Sequence, residues 1–355
     1  MERRPNDWRH VLKPDADQMV GISEQQKPVL NIVVDTEEEF DWNIFNSQFQ
    51  SVSNLQEQHL THRIFERFGA SPTYVIDYPV VSNPEARAPL LDMLKDGKCQ
   101  IGGHLHPWVT PPVREDVNER NSFPHNLPVD LQRDKLRQLG EAIGEHFGAK
   151  PDIFKSGRYG IDDPLVELLL EEGYTIDMSV LPNSDLSWCY GPDFTKCPQD
   201  PYWIGKGREI LEIPLTVGLV GSMHSLAPSL YFRADSPVGR RLRLPGILAR
   251  LRVLERIPLT PEGITLDEAK KVTRELLRRN TRVFTLSYHS SSLLPGSTPY
   301  VATQQELGHF LDWIEGFLDF FMGEIGGRVA TPYEIRDLAL QASSASGDAG
   351  AVATP

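Results

Sequence analysis

Short apolar runs alternate with stretches of helical periodicity along most of the chain. Between the runs, apolar residues recur at helical spacing, as in Leu55–Phe68 and Leu131–Phe147. Strands that alternate with helices form parallel sheets. Roughly eight such units favour a single-domain α/β fold, a distorted (β/α) barrel of seven to eight strands. The apolar runs predict strands at 29–35, 73–77, 100–104, 152–156, 175–180, 210–215, 283–289 and 327–331.

The periodic region has polar or low-complexity flanks. Residues 1–27 are polar and aperiodic, and they predict a loose N-terminal arm before a barrel that spans 28–340. Residues 341–355 are rich in Ala, Ser and Gly and predict a disordered tail. The first strand is not followed by a glycine-rich loop, which argues against a dinucleotide-binding fold.

Composition and charge exclude several functional classes. The 355-residue chain is 40% hydrophobic and carries a net charge of −13, so we expect no nucleic-acid binding. It has no apolar run long enough for a transmembrane segment. The N-terminus has no apolar core of a signal peptide, which predicts a cytoplasmic location. Nothing in the composition indicates an oligomeric state.

One segment is locally basic in this acidic chain. Residues 240–256 combine several arginines with apolar residues at helical spacing. A packed helix with a solvated basic face would give this pattern. Peripheral contact with an anionic glycolipid or a membrane surface would give it too.

Ionisable residues cluster at the predicted strand ends. Asp35 and Glu37 end the first strand, and His104 and His106 end the third. Side chains two residues apart on an extended chain share a face, so each pair projects to one side. In a (β/α) barrel the carboxyl ends of the strands form the active site. Two imidazoles and two carboxylates there predict a metal site with an open position. The later strand ends add Asp77, Arg158, Asp177 and His289.

These motifs, in this order, resemble the polysaccharide deacetylases of carbohydrate esterase family 4, the NodB-homology barrel. The resemblance covers roughly Pro28 to Glu334. Three stretches also resemble a subgroup associated with lipopolysaccharide biosynthesis. They are His104-Leu105-His106-Pro107-Trp108, Ser156-Gly157-Arg158-Tyr159-Gly160 and Tyr288-His289-Ser290-Ser291-Ser292-Leu293.

The resemblance implies a metal-dependent hydrolase that removes N-acetyl groups from a sugar of a surface polysaccharide or lipopolysaccharide precursor. It implies one divalent metal ion, usually zinc, and a carbohydrate substrate. The implied roles are Asp35 as general base, Arg158 as the residue that holds it, His289 as general acid and Asp177 as its orienting partner. The implied metal ligands are Glu37, His104 and His106, and the implied substrate-binding residues are Trp108, Tyr159 and Tyr300.

Two departures from the family pattern keep other functions open. Thr36 follows Asp35, so the usual adjacent acid pair is absent. The two histidines are two residues apart rather than four, and Trp108 stands at the usual second position. A catalytically silent carbohydrate-binding protein is therefore one alternative. A glycosidase of a related barrel, which would need two carboxylates about 5–10 Å apart, is another.

Overall fold

The structure is a computed structural model that describes residues 8–40, 44–221 and 254–349, with five single positions between the last two ranges. These positions are Tyr231, Ala234, Gly239, Arg241 and Leu244. The predicted peripheral contact through 240–256 therefore falls largely outside the described residues. No helix of the described part is long and apolar enough to cross a membrane.

The described elements alternate as the sequence predicts. The strands are β1 (Trp8–Arg9), β2 (Val29–Thr36), β3 (Thr73–Ile76), β4 (Gln100–Leu105), β5 (Ile153–Ser156), β6 (Ile176–Asp177), β7 (Tyr202–Lys206), β8 (Ile210–Glu212), β9 (Val217–Val220), β10 (Glu255–Pro258), β11 (Val283–His289) and β12 (Arg328–Val329). The helices are α1 (His59–Arg67), α2 (Tyr78–Ser82), α3 (Pro84–Lys95), α4 (Val129–Phe147), α5 (Asp163–Glu171), α6 (Leu266–Arg278), α7 (Gln304–Asp319) and α8 (Pro332–Ala349).

Seven of these strands form one curled parallel sheet, in the order β8-β6-β5-β4-β3-β2-β11. Antiparallel β7 and β1 extend it beyond β8, and β12 pairs with the start of β2. Between β8 and β11 the chain at Thr216 donates its N–H to Thr285 O at 3.3 Å. The predicted barrel-like α/β fold is confirmed.

The interior of the curled sheet changes from apolar to polar along the strands. In β2, Leu30 and Ile32 pack in the layer between sheet and helices, whereas Val29 and Val33 belong to a second apolar cluster. This alternation places Asp35 on the same face as Val33. The polar site therefore lies at the carboxyl ends of the strands, beyond an apolar base.

The described part of the N-terminal arm is packed rather than loose. Trp8–Arg9 pairs with β7, and Val11 is completely buried. Gln18 Nε2 donates to the carbonyl oxygen of Trp203 at 2.9 Å. Polar side chains that pair with backbone groups hold this segment, so it shows no apolar periodicity.

The predicted disordered tail also differs from the structure. Helix α8 continues through Ala349, and Ser343 Oγ accepts a hydrogen bond from Trp203 Nε1 at 3.3 Å. Small residues such as Ala and Ser are compatible with a helix that packs closely against the sheet. Residues 350–355 lie outside the described part.

Candidate active site

A buried ion pair occupies the centre of the site. Asp35 extends from β2 and Lys155 from β5, and both side chains are almost fully buried. Lys155 Nζ donates to both carboxylate oxygens of Asp35, and it lies 3.2 Å from Ser287 Oγ. Burial alone would raise the pKa of Asp35, but Lys155 and two nearby histidines lower it below the ordinary value. Asp35 is thus held ionised.

Glu37, His104 and His106 converge at one point beside this pair. Each histidine places Nε2 3.4 Å from Glu37 Oε2. All three side chains are buried, and their ligand atoms lie within 4.8 Å of one another. The N–H of Glu37 donates to Ser290 Oγ at 3.1 Å, which fixes the acid against the end of β11. The structure therefore brings together the three predicted metal ligands.

A layer of partners orients both imidazoles. His104 Nδ1 donates to the backbone oxygen of Lys155 at 2.8 Å, and His106 Nδ1 lies 2.9 Å from Glu38 Oε2. Trp108 Nε1 donates to the other oxygen of Glu38 at 2.7 Å. With Nδ1 of each ring engaged, the Nε2 lone pairs face Glu37, as in metal sites whose histidines are fixed by outer partners.

The residues present fit a divalent metal. Glu37 Oε1 is buried and has no hydrogen-bond partner in the described part of the chain. Burial and the neighbouring acids, Asp35 first, raise the pKa of Glu37 well above its usual value. A bound cation would offset the unfavourable free energy of ionising the buried Glu37. Two imidazoles with one carboxylate are a common set of zinc ligands. The second candidate cluster, Glu38 with Asp77 and His106, would use the His106 nitrogen that Glu38 already holds.

His289 faces Asp35 from the end of β11. Its Nε2 lies 3.7 Å from Asp35 Oδ2, and its Nδ1 lies 2.8 Å from Glu262 Oε2. Burial alone would lower the pKa of His289, but Glu262 and then Asp35 raise it above the ordinary value. Glu262 also accepts from the His289 N–H at 3.1 Å and from Ser292 Oγ. The imidazole is thus oriented by a carboxylate.

Two of the implied partnerships are not the ones in the structure. Asp35 is held by Lys155, whereas Arg158 Nη1 donates to Ser122 Oγ and stacks on aromatic rings.

The second concerns Asp177. It accepts from Ser179 Oγ at 2.6 Å and shares a buried carboxyl contact with Glu212, and Glu262 takes the position beside His289. Asp177 is engaged on β6 by Ser179 and Glu212 and is not the partner of His289.

A tight turn follows β5 at the edge of the site. Arg158 and Tyr159 both adopt positive φ, at 51° and 62°. This left-handed path is rare for non-glycine residues and marks a constrained position. Gly157, which precedes them, leaves no room for a side chain, because a Cβ there would lie 2.4 Å from His106 Cδ2 and from Leu105 O.

The predicted substrate-binding residues have different surroundings. Tyr159 lines the cavity above the candidate metal ligands Glu37, His104 and His106, which we call the metal cavity. Trp108 is completely buried and stacks on His106 with ring centroids 4.2 Å apart, so its ring is not accessible to a sugar. Tyr300 is 41% exposed and lies beside Gly263, next to the loop that carries Glu262.

The cavity over the site has an ionisable floor and largely apolar walls. Its volume is about 240 Å³. Asp35, Glu37, His104, His106 and His289 form the floor. The walls include Phe40, Phe123, Leu186, Arg158 and Trp188, the last of which is 62% exposed.

Comparisons with known proteins support the fold. No protein-family model matches the chain, and no curated protein matches it. A provisionally assigned polysaccharide deacetylase from Mycobacterium smegmatis is similar in structure, with a TM-score of 0.53, 14% identity, and 90% of this chain and 93% of that chain covered. At this identity the likeness supports the fold alone.

Two further solved structures are less similar. A peptidoglycan deacetylase from Bacillus subtilis has a TM-score of 0.44 and 8% identity, with 93% of this chain and 99% of that chain covered. A 4-alpha-glucanotransferase from Thermococcus litoralis has a TM-score of 0.48 and 13% identity, with 87% and 40% covered.

Sequence reasoning missed three residues of the site. Lys155 immediately precedes the recognised Ser156-Gly157-Arg158 motif, and its place on a strand facing the interior was the available signal. Glu38 directly follows Glu37, and the spacing of two that selects Asp35 and Glu37 passes over it. Glu262 lies in a loop after β10, where no periodicity or motif indicates it.

Proposed function

We propose that the protein is a metal-dependent hydrolase that removes an N-acetyl group from a sugar of a surface polysaccharide or lipopolysaccharide precursor. The observation that carries this proposal is the convergence of Glu37 and two oriented histidines beside an ionised Asp35 that faces His289. Deacetylases among the structurally similar proteins agree with this chemistry.

The residues have distinct roles in this reaction. Glu37, His104 and His106 would hold one divalent metal, which supplies polarisation of the acyl carbonyl and a more acidic water. Asp35 accepts the proton of the attacking water, because Lys155 keeps it ionised.

Proton donation comes from the opposite side. Glu262 and then Asp35 raise the pKa of His289 and so favour its imidazolium form, which donates from Nδ1 to Glu262 and carries a second proton at Nε2. His289 donates this Nε2 proton to the leaving amine. The backbone N–H of Tyr159, in the left-handed turn, is the group that we assign to the developing oxyanion.

Metal content and acetate release test this function together. Protein purified without added metal and then loaded with zinc, manganese or cobalt is assayed on a panel of N-acetylated oligosaccharides. We expect about one metal per chain and metal-dependent acetate release. His104→Ala with His106→Ala should abolish both, and the exposed His309→Ala serves as the matched control. Unchanged acetate release in the double variant would overturn the proposal.

The two alternatives have distinct signatures. A glycosidase would release reducing sugar without acetate from the same panel. A silent binding protein would bind oligosaccharide without any turnover. The retained Asp35–Lys155 pair and the carboxylate-oriented His289 favour an enzyme, because a binding protein needs neither. Zinc as the metal, the lipopolysaccharide substrate and the cytoplasmic location stay predictions.

A further inference from the structure

Arg158 lies at the boundary between two cavities. It lines the metal cavity, and it also lines an adjoining groove of about 560 Å³ that includes Phe45, Glu119 and Trp188. Its guanidinium carbon lies 4.6 Å from the centroid of Phe45 and 4.3 Å from that of Phe123. Aromatic contact with a guanidinium face leaves the N–H groups at its edge available for hydrogen bonds.

Most of that edge makes no hydrogen bond to the residues that the structure describes. Nη1 donates to Ser122 Oγ and to the backbone oxygen of Glu119 at 3.4 Å. Within the described part of the chain, Nε and Nη2 have no acceptor, and no carboxylate lies within ion-pair distance. Cys189 and then the exposed carboxylate of Glu119 act on the charge of Arg158 without an ion pair in the described part of the chain.

A partly buried guanidinium without a counter-charge is unfavourable. Burial lowers the pKa of Arg158, which shows that its charge is incompletely solvated. The other cation of this site, Lys155, is neutralised by Asp35. The geometry of Arg158 therefore fits an anion supplied from outside, because a planar fork of two N–H groups matches a carboxylate or a phosphate.

We infer that Arg158 binds an anionic group of the substrate, so that the preferred substrate is an N-acylated sugar that itself carries a carboxylate or a phosphate. This inference rests on the proposed function for the acyl group. Because Arg158 lines both cavities, the anion would lie on the side of the acylated sugar that faces the groove with Trp188.

The test compares three ligands that share one acetamido sugar. They are N-acetylglucosamine, its 6-phosphate and the corresponding uronic acid. Acetate release gives kcat and KM, and calorimetry with the metal-loaded protein gives Kd without requiring turnover. We expect one or both anionic sugars to bind on the order of 10- to 100-fold more tightly than the neutral sugar. The stronger of the two identifies the anion as phosphate or carboxylate.

Three variants separate recognition from structural support. Arg158→Gln should remove the preference, so that the neutral and anionic sugars bind with Kd values within about threefold of each other. Arg158→Lys keeps the charge but loses the planar pair of N–H donors, and it should retain part of the preference. Because this variant is conservative, it keeps the test valid if Arg158→Gln does not fold. Arg133→Gln, which removes a surface arginine paired with Glu171, is the matched charge control and should change nothing.

The outcomes distinguish this inference from the proposed function. Equal losses for neutral and anionic sugars in Arg158→Gln, or no preference in the wild type, would overturn anion recognition. If no sugar releases acetate, the proposed hydrolysis fails, but an Arg158-dependent preference in calorimetry would still support the anion site.

Discussion

Replacing Gly157 by alanine tests whether the metal site depends on the close approach of β4 and β5. The added Cβ would lie 2.4 Å from both His106 Cδ2 and Leu105 O. Ordinary carbon contacts are about 3.5–4.0 Å, so the strand ends must separate by about 1 Å. That shift moves His106 away from Glu37, and we expect metal affinity to fall on the order of 10- to 100-fold.

The assay is competition for zinc with a chromogenic chelator, together with thermal unfolding. Crowding should also lower the free energy of unfolding by about 1–3 kcal/mol. Gly140→Ala is the matched control, because a Cβ there meets only Tyr174 Oη at 3.8 Å. If Gly157→Ala binds zinc with wild-type affinity while the fold is intact, the reasoning about this contact is refuted.

Three further predictions concern charged groups. Glu262→Gln removes the carboxylate that raises the pKa of His289, so activity should be lost at lower pH than in wild type, as measured by the alkaline side of the kcat/KM profile. Lys155→Met removes the charge that lowers the pKa of Asp35, so the acidic side of the profile should move to higher pH, with a stability loss of about 3 kcal/mol near neutral pH by urea unfolding. Burial and then Asp177 raise the pKa of Glu212 in the folded state well above its ordinary value of 4.5, so the free energy of unfolding of the wild type should fall as pH rises above about 4.5. Glu212→Gln should gain stability relative to the wild type over that rise, as measured by urea unfolding, and equal pH dependence of the two proteins would contradict this.

The strand ends were predictable because local pattern fixes them. Apolar runs defined β2, β4 and β11 to within one residue, and spacing of two placed Asp35 with Glu37 and His104 with His106. The short β6 was predicted too long, since Met178 to Val180 leave the ladder after two residues. Strand β7 and the antiparallel pair of β9 and β10 were not predicted.

The sequence does not predict which side chains from distant strands and loops contact one another. Lys155 and Asp35 are 120 positions apart, and β5 and β2 are separated by β3 and β4. Their contact depends on the curl of the sheet, which no local pattern encodes. Glu262 likewise reaches His289 from a loop. The family resemblance implies that Arg158 holds Asp35 and that Asp177 orients His289. In the structure Lys155 contacts Asp35, and Glu262 contacts His289.

The spacing of two between the histidines is compatible with a metal site because of Glu38 and Trp108. On an extended chain, His104 and His106 project from one face, and their rings stand 4.6 Å apart with both Nε2 atoms toward Glu37. Trp108 lies in the turn after β4, where it stacks on His106 and donates to Glu38 instead of offering a ligand. A tryptophan at that position thus orients the His106 imidazole by stacking on it and by holding Glu38. The cluster of Glu37, His104 and His106 therefore keeps three ligands although the histidine spacing differs from that of the family.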